Sequence, residues 1–236
     1  MSLMYQIRRS VRVRCARIIV SLEKVEVVVP VKMSQQQIAL FVSSKQAWIT
    51  AAVAKVRLKT PAIVPLAPSE YSQGALIPYQ GNHYPLNLEA TSFKRIHVKF
   101  DGAFKVFTPH LVAPAEQHNA IKLALTAWMK NTAKVLIAQH IQRHAQRFNL
   151  TPTLVRVKTQ KSRWGSCSST NAININWLLM LAPPVILEYV VVHELCHIKE
   201  KNHSAAFWHL VAAHMPDYQQ HRNWLKQHGA SLMRGL

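Results

Sequence analysis

Between Pro183 and Lys199 the chain reads Pro184-Val-Ile-Leu-Glu-Tyr-Val-Val-Val-His-Glu-Leu-Cys-His-Ile198. A proline suits the first turn of a helix, because its fixed φ is helical and its missing N–H is not needed there. Ile186, Leu187, Val190, Val191, Leu195 and Ile198 place apolar side chains almost all round that helix. Such a helix has to lie inside a domain. Yet it carries His193, Glu194 and His197, and burying those groups is costly unless each has a partner. The segment therefore demands a fold that surrounds a helix on most sides and opens it to a polar site at one place.

His193 and His197 are four residues apart, so they project from one helix face one turn apart. Two imidazoles so placed suit one zinc ion, and Glu194 beside them can reach a water that the metal activates. Zinc lowers the pKa of such a water toward about 7, and the glutamate accepts its proton as it attacks. With this composition an accidental H-E-x-x-H is expected only about 0.02 times per chain. A catalytic zinc takes three protein ligands and leaves one position open. Downstream of His197 the only acidic residues are Glu200 and Asp217. Lys199-Glu-Lys-Asn202 can end the helix and turn the chain back, which makes His203 the expected third ligand. Glu200 lies too close to the helix end to fold back. Asp217, His209 and His214 are weaker candidates, the two histidines being expected on the next helix. Cys196 faces another side of the helix and is expected in the core.

The residues before the metal helix read mainly as strands up to 112. Ile7, Val11 and Val13 alternate with arginines, Val25 to Val31 is β-branched, and Ile77 to Leu88 and Arg95 to Thr108 alternate. Asp101-Gly102 predicts a tight hairpin. Ser34 to Phe41 and Lys45 to Leu58 are predicted helices, and Thr60 to Gly74, with three prolines, a loop. After Pro114, Glu116 to Phe148 is a long helical pattern carrying Ile121, Leu125, Trp128, Leu136 and Ile141. Strands follow at Thr153 to Lys158 and Ala172 to Asn176. Two last helices are expected at Ala205 to His214 and Asp217 to Gln227, with Gly229 as a C-terminal stop. This is an α+β pattern: a β-rich region over 1–112 and a mainly helical domain with a small sheet over 113–236.

The formal charge of +19 favours polyanions, but the basic residues are dispersed, with no run longer than two. The expectation is weak nucleic-acid binding through a basic surface. Cys15, Cys167 and Cys196 lie far apart and form no C-x-x-C, which suits a reducing, cytoplasmic setting. No apolar stretch reaches 18 residues, so no transmembrane segment is expected.

His193-Glu-Leu-Cys-His197, Asn202-His-Ser204, Phe207-Trp208, Trp164-Gly-Ser-Cys167 and the Ala172 to Asn176 strand together resemble the YgjP-like metallopeptidase family. The resemblance extends more loosely over the N-terminal half. The H-E-x-x-H-x5-H spacing alone is also similar to Wss-like and SprT-like proteases, some of which act on proteins crosslinked to DNA. The resemblance implies a zincin-type domain, a zinc cofactor and a protein or peptide substrate. By analogy with zincins, Ala172 to Asn176 is the strand expected to pair with an extended substrate. That makes Arg163, Trp164 and Asn174 candidate substrate contacts, with Arg163 as a possible partner for a developing oxyanion. Some family members carry a nucleotide pyrophosphatase label. A nucleoside triphosphate pyrophosphatase and a DNA-associated protease are therefore the alternatives to a plain peptidase.

Overall fold

A computed structural model describes residues 4–21, 24–59, 65–110 and 114–236. By compactness the chain divides into two units, residues 1–63 and 64–236. The change from strands to helices near residue 113 falls inside the second unit.

In the first unit, β1 (Gln6–Ser10), β2 (Arg17–Val20) and β3 (Val25–Pro30) form a sheet in the order β1-β3-β2. β3 is central because its Val-rich sequence fits a strand buried on both faces. The arginine-rich alternation from Ile7 to Val13 is thus shorter than expected, ending at Ser10, and it forms an exposed sheet edge. Helices α1 (Gln35–Ser44) and α2 (Gln46–Lys59) follow. Ser34 and Gln37 cap α1 reciprocally, each side chain accepting from the other's backbone N–H. Ile38, Val42 and Ile49 pack with Val25, Val27 and Val29.

The second unit begins with β4 (Leu76–Tyr79), β5 (Asn82–Thr91), β6 (His97–Phe100) and β7 (Phe104–Pro109), in the order β4-β5-β7-β6. Asp101-Gly102 does form the β6–β7 hairpin. The run from Ile77 to Leu88 is two strands, not one. Gln80 and Gly81 turn the chain with φ of 48° and 80°, the signature of a two-residue hairpin. This tip docks on the segment before the metal helix: Gln80 N donates to Met180 O and Gly81 N to Leu181 O. A Cβ on Gly81 would lie 2.9 Å from Pro183.

Helix α3 (Pro114–Phe148) follows, with Ile121, Leu125, Met129, Ala133 and Ile137 forming a buried ridge. A second small sheet, β8 (Leu154–Lys158), β9 (Gly165–Cys167) and β10 (Ala172–Asn176), has the order β8-β10-β9. A 3₁₀ turn (Trp177–Leu181) leads into α4 (Pro184–Lys199), α5 (Ala205–His214) and α6 (Tyr218–Leu232). α6 does not stop at Gly229. That glycine lies inside the helix, where a Cβ would meet the Trp164 ring at 3.2 Å. It is small to admit an indole, and the helix continues past it.

As the sequence requires, α4 is enclosed, with Ile186, Leu187, Val190, Val191, Leu195 and Cys196 all buried. Its outer end is tied to α3 and α5 by a polar chain. The Glu188 carboxylate receives His144 Nε2 at 2.8 Å and Arg143 at 3.2 Å, and His144 Nδ1 lies 3.1 Å from His214 Nδ1. Because a carboxylate only accepts, His144 donates through Nε2. When neutral, it accepts the His214 N–H through Nδ1. Among the described residues no helix is long and apolar enough to cross a membrane. The predicted loop's residues 60–64 lie outside the described residues, and 65–75 form neither helix nor strand.

Candidate metal centre

His193, Glu194 and His197 sit in the last two turns of α4. The helix ends at Glu200, whose backbone is extended. The chain then crosses Lys201 and Asn202, and Ser204 caps α5 by accepting from Phe207 N at 3.3 Å. His203 is held in that turn and points back at α4. Lys201 fastens the turn to the β9–β10 loop, donating to Asn171 Oδ1 at 2.6 Å and Ser168 O at 3.3 Å.

The three histidines each offer one nitrogen, and these nitrogens lie within 4.8 Å of one another. His193 Nε2 and His203 Nε2 are 3.0 Å apart. Tetrahedral zinc with Zn–N bonds of about 2.0–2.1 Å spaces its nitrogens by about 3.3 Å, so the cluster has the size the ion requires. His197 Nδ1 donates to Glu200 O at 2.9 Å, which fixes its tautomer and leaves Nε2 as the ligand atom. Burial first, and then the neighbouring His197, His203 and Arg222, hold His193 down to about 3. Burial likewise lowers His197. Both are thus neutral, the form that ligates. Phe207 is fully buried under the cluster, stacked on His197 with centroids 4.4 Å apart, while Trp208 stacks on His203 at 5.6 Å. The donor set, the spacing and the tautomer fit zinc.

Glu194 is buried beside the ligands. Burial pushes its carboxyl up to about 8, against the opposing pull of Arg163; a zinc dication held by the neighbouring histidines would favour the ionised form, the one that accepts a proton. It lies against the backbone of β9: a Cβ on Gly165 would fall 2.5 Å from Glu194 Oε1. Trp164-Gly165 is therefore a packing requirement on two sides, Trp164 filling the notch at Gly229 and Gly165 making room for the carboxylate.

A cleft of about 400 Å³ opens over the site, lined by Arg163, Trp164, Gly165, Tyr189, His193, Glu194, Arg222 and Lys226 among others. Arg163 and Trp164 are thus brought beside His193 and Glu194. Asn174 is not. It sits opposite Ser166 in the β10–β9 ladder and its amide donates to Ser166 Oγ at 3.1 Å. Its neighbours Ile173 and Ile175 are buried. With side chains alternating along a strand, it faces away from them and from the cleft. Nor can β10 receive a peptide, since it is central and bonded to β8 on one side and β9 on the other. Among the described residues the edge strand beside α4 is β9.

Four contributors had not been expected from the sequence. Asn176, fully buried, donates through Nδ2 to Gln160 O at 2.8 Å and Arg163 O at 3.0 Å, pinning the loop that presents Arg163. Tyr189 lines the cleft one turn before His193, and its spacing of four was a usable signal. Its phenol is pushed up to about 12 by burial, so it stays a donor. Arg222 and Lys226 come from α6 by tertiary folding and had no local signal. The expected core residue Cys196 is fully buried, His209 is exposed on α5, and Tyr218 stacks on Trp208 at 5.2 Å.

The model of the YgjP-like metallopeptidase domain matches residues 14–228. A protein of Escherichia coli (strain K12) named UTP pyrophosphatase is 37% identical over 67 residues, which is 27% of this chain and 40% of that relative. The crystal structure of the metallopeptidase zymogen of Methanocaldococcus jannaschii jannalysin is similar with a TM-score of 0.34 and 20% identity, over 40% of this chain and 94% of that one.

Proposed function

This chain belongs to the YgjP-like metallopeptidase family, and we propose that it is a zinc-dependent peptidase with ligands His193, His197 and His203 and general base Glu194. The observation that carries the reading is the convergence of three imidazole nitrogens within 4.8 Å, beside a buried carboxylate in an open cleft. When bound, zinc supplies Lewis acidity and lowers the pKa of a coordinated water. The protein's own groups do the rest. Glu194 takes the proton of the attacking water and returns it to the leaving nitrogen. Arg163 donates to the oxygen on which negative charge develops. The free edge of β9 offers backbone hydrogen bonds to an extended peptide, the role that β10 cannot fill. The three free thiols, Cys15, Cys167 and Cys196, suit a reducing compartment, and the cytoplasm is the location we assign.

A second reading, hydrolysis of a nucleoside triphosphate, is favoured by the match to a protein named UTP pyrophosphatase. A third, a protease recruited to DNA by the charge of +19, predicts DNA stimulation that fades as salt rises. The test is parallel incubation of the zinc-loaded protein with casein, UTP and a DNA-bound protein, each beside Glu194→Gln. Cleavage of casein by the wild type alone supports the peptidase. Pyrophosphate release from UTP without casein cleavage overturns it.

A further inference from the structure

The cleft beside the metal ligands carries more positive charge than the proposed chemistry uses. Arg163, Arg222 and Lys226 line it, and Glu194 is the one carboxylate among its lining residues. Arg163 faces that carboxylate and acts on it. Arg222 and Lys226 remain. They are four residues apart on α6, so they stand on one face of that helix one turn apart. Both are exposed, and among the described residues neither takes part in an ion pair. Arg222 is nevertheless held in place, its guanidinium 4.7 Å from the centre of the Trp208 ring. Trp208 is itself fixed between Tyr218 and the ligand His203 by stacking. A guanidinium anchored through its face keeps its N–H edges free to donate.

We propose that Arg222 and Lys226 form an anion-recognising subsite of the catalytic cleft, selecting peptides with a carboxylate close to the scissile bond. The assignment rests on the peptidase reading above. Two cations outside any ion pair on one helix face, Arg222 anchored on the Trp208 ring beside His203 and Lys226 one turn on, match an acidic side chain and repel a basic one. Tyr189, a buried donor in the same cleft, gives the anion a further neighbour.

The test uses binding as well as turnover. Full-length Glu194→Gln protein is titrated with fluorescent peptides that differ only in carrying Glu, Gln or Lys beside the scissile position, and anisotropy is read. The Glu peptide is expected to bind about tenfold more tightly than the Gln peptide, the scale of one partly exposed charge-assisted hydrogen bond. Adding Arg222→Gln and Lys226→Gln should abolish that preference. Lys226→Glu should move it toward the Lys peptide, a gain that a misfolded protein cannot show. Equal binding of the Glu and Gln peptides, or a preference that survives the double substitution, overturns the subsite. So does binding of UTP that depends on Arg222 while no peptide binds. The two readings fail separately. If wild-type protein cleaves none of the peptides but the binding preference holds, the peptidase assignment has failed and the subsite stands.

Discussion

Replacing Gly165 by alanine places a methyl carbon where the Glu194 side chain now lies. The added Cβ would sit 2.5 Å from Oε1, 2.6 Å from Cγ and 2.8 Å from Cδ of Glu194. Ordinary carbon contacts are about 3.5–4.0 Å, so the two elements must separate, or the carboxylate move, by roughly 1 Å. The first route strains the packing of β9 on α4, and overpacking of this kind costs about 1–3 kcal/mol. In a unit of this size that lowers Tm by roughly 2–10 °C. The second route misplaces the proposed general base, and a displacement of about 1 Å costs on the order of 100-fold in rate. The three atoms nearest the added Cβ all belong to Glu194, so zinc content should not change. The assay measures kcat/KM on casein-derived peptides, zinc by mass spectrometry and the thermal midpoint. A Gly165→Ala protein with wild-type rate and wild-type Tm would refute the close approach of Glu194 to β9.

Three further outcomes follow from the same geometry. His203→Ala, which removes the one ligand outside α4, should cut zinc occupancy sharply while leaving the fold intact, as read by metal analysis and circular dichroism; full occupancy would remove His203 from the ligand set. Asn176→Ala frees the loop bearing Arg163 and leaves two backbone carbonyls without their donor. It should cost about 1–3 kcal/mol in chemical denaturation, and no change in stability would contradict the pinning role. Acid should loosen the α3–α4–α5 junction, because burial first, then the charges of His144 and Arg147, hold His214 down to about 4. The unfolded chain takes up this proton near 6.5, so between about 6.5 and 4 it binds more protons than the native state. Stability is then full above that window and falls as pH drops through it. From pH 7 to pH 5 the loss through this residue is up to about 2 kcal/mol. Denaturant midpoints at the two pH values should show it for the wild type, and His214→Gln should flatten it.

Much of the site was legible because its signals are local. The spacing of His193 and His197, and the apolar surround of α4, follow from helix periodicity. His203 stood out because Lys199 to Asn202 can end α4 and turn the chain back toward it. The long α3 announced itself by lacking glycine and proline. What stayed hidden depends on partners distant in sequence. Gly229 has the appearance of a helix stop, and only the indole of Trp164 explains it as a notch. Gln80 rarely adopts a positive φ, so the β4–β5 turn carried a weak signal. The apolar run Trp177 to Leu181 gave no period by which to recognise a 3₁₀ turn. Whether a strand is central or at an edge is a property of the sheet, and so the strand proposed for substrate is β9 rather than β10. Arg222 joins the cleft only when α6 folds against α4.

In the proposed peptidase a histidine-held zinc and Glu194 act together on the peptide bond. The direct measurement is cleavage of casein by wild-type and Glu194→Gln proteins brought to equal zinc content, with peptide products identified by mass spectrometry. The amide keeps the shape of the carboxylate but cannot accept the water's proton. The expected result is one zinc per chain in both proteins and a loss of at least about 100-fold in the variant. Equal cleavage by the two proteins would remove Glu194 as the base, and a wild type that holds zinc and cuts no peptide bond would overturn the peptidase assignment.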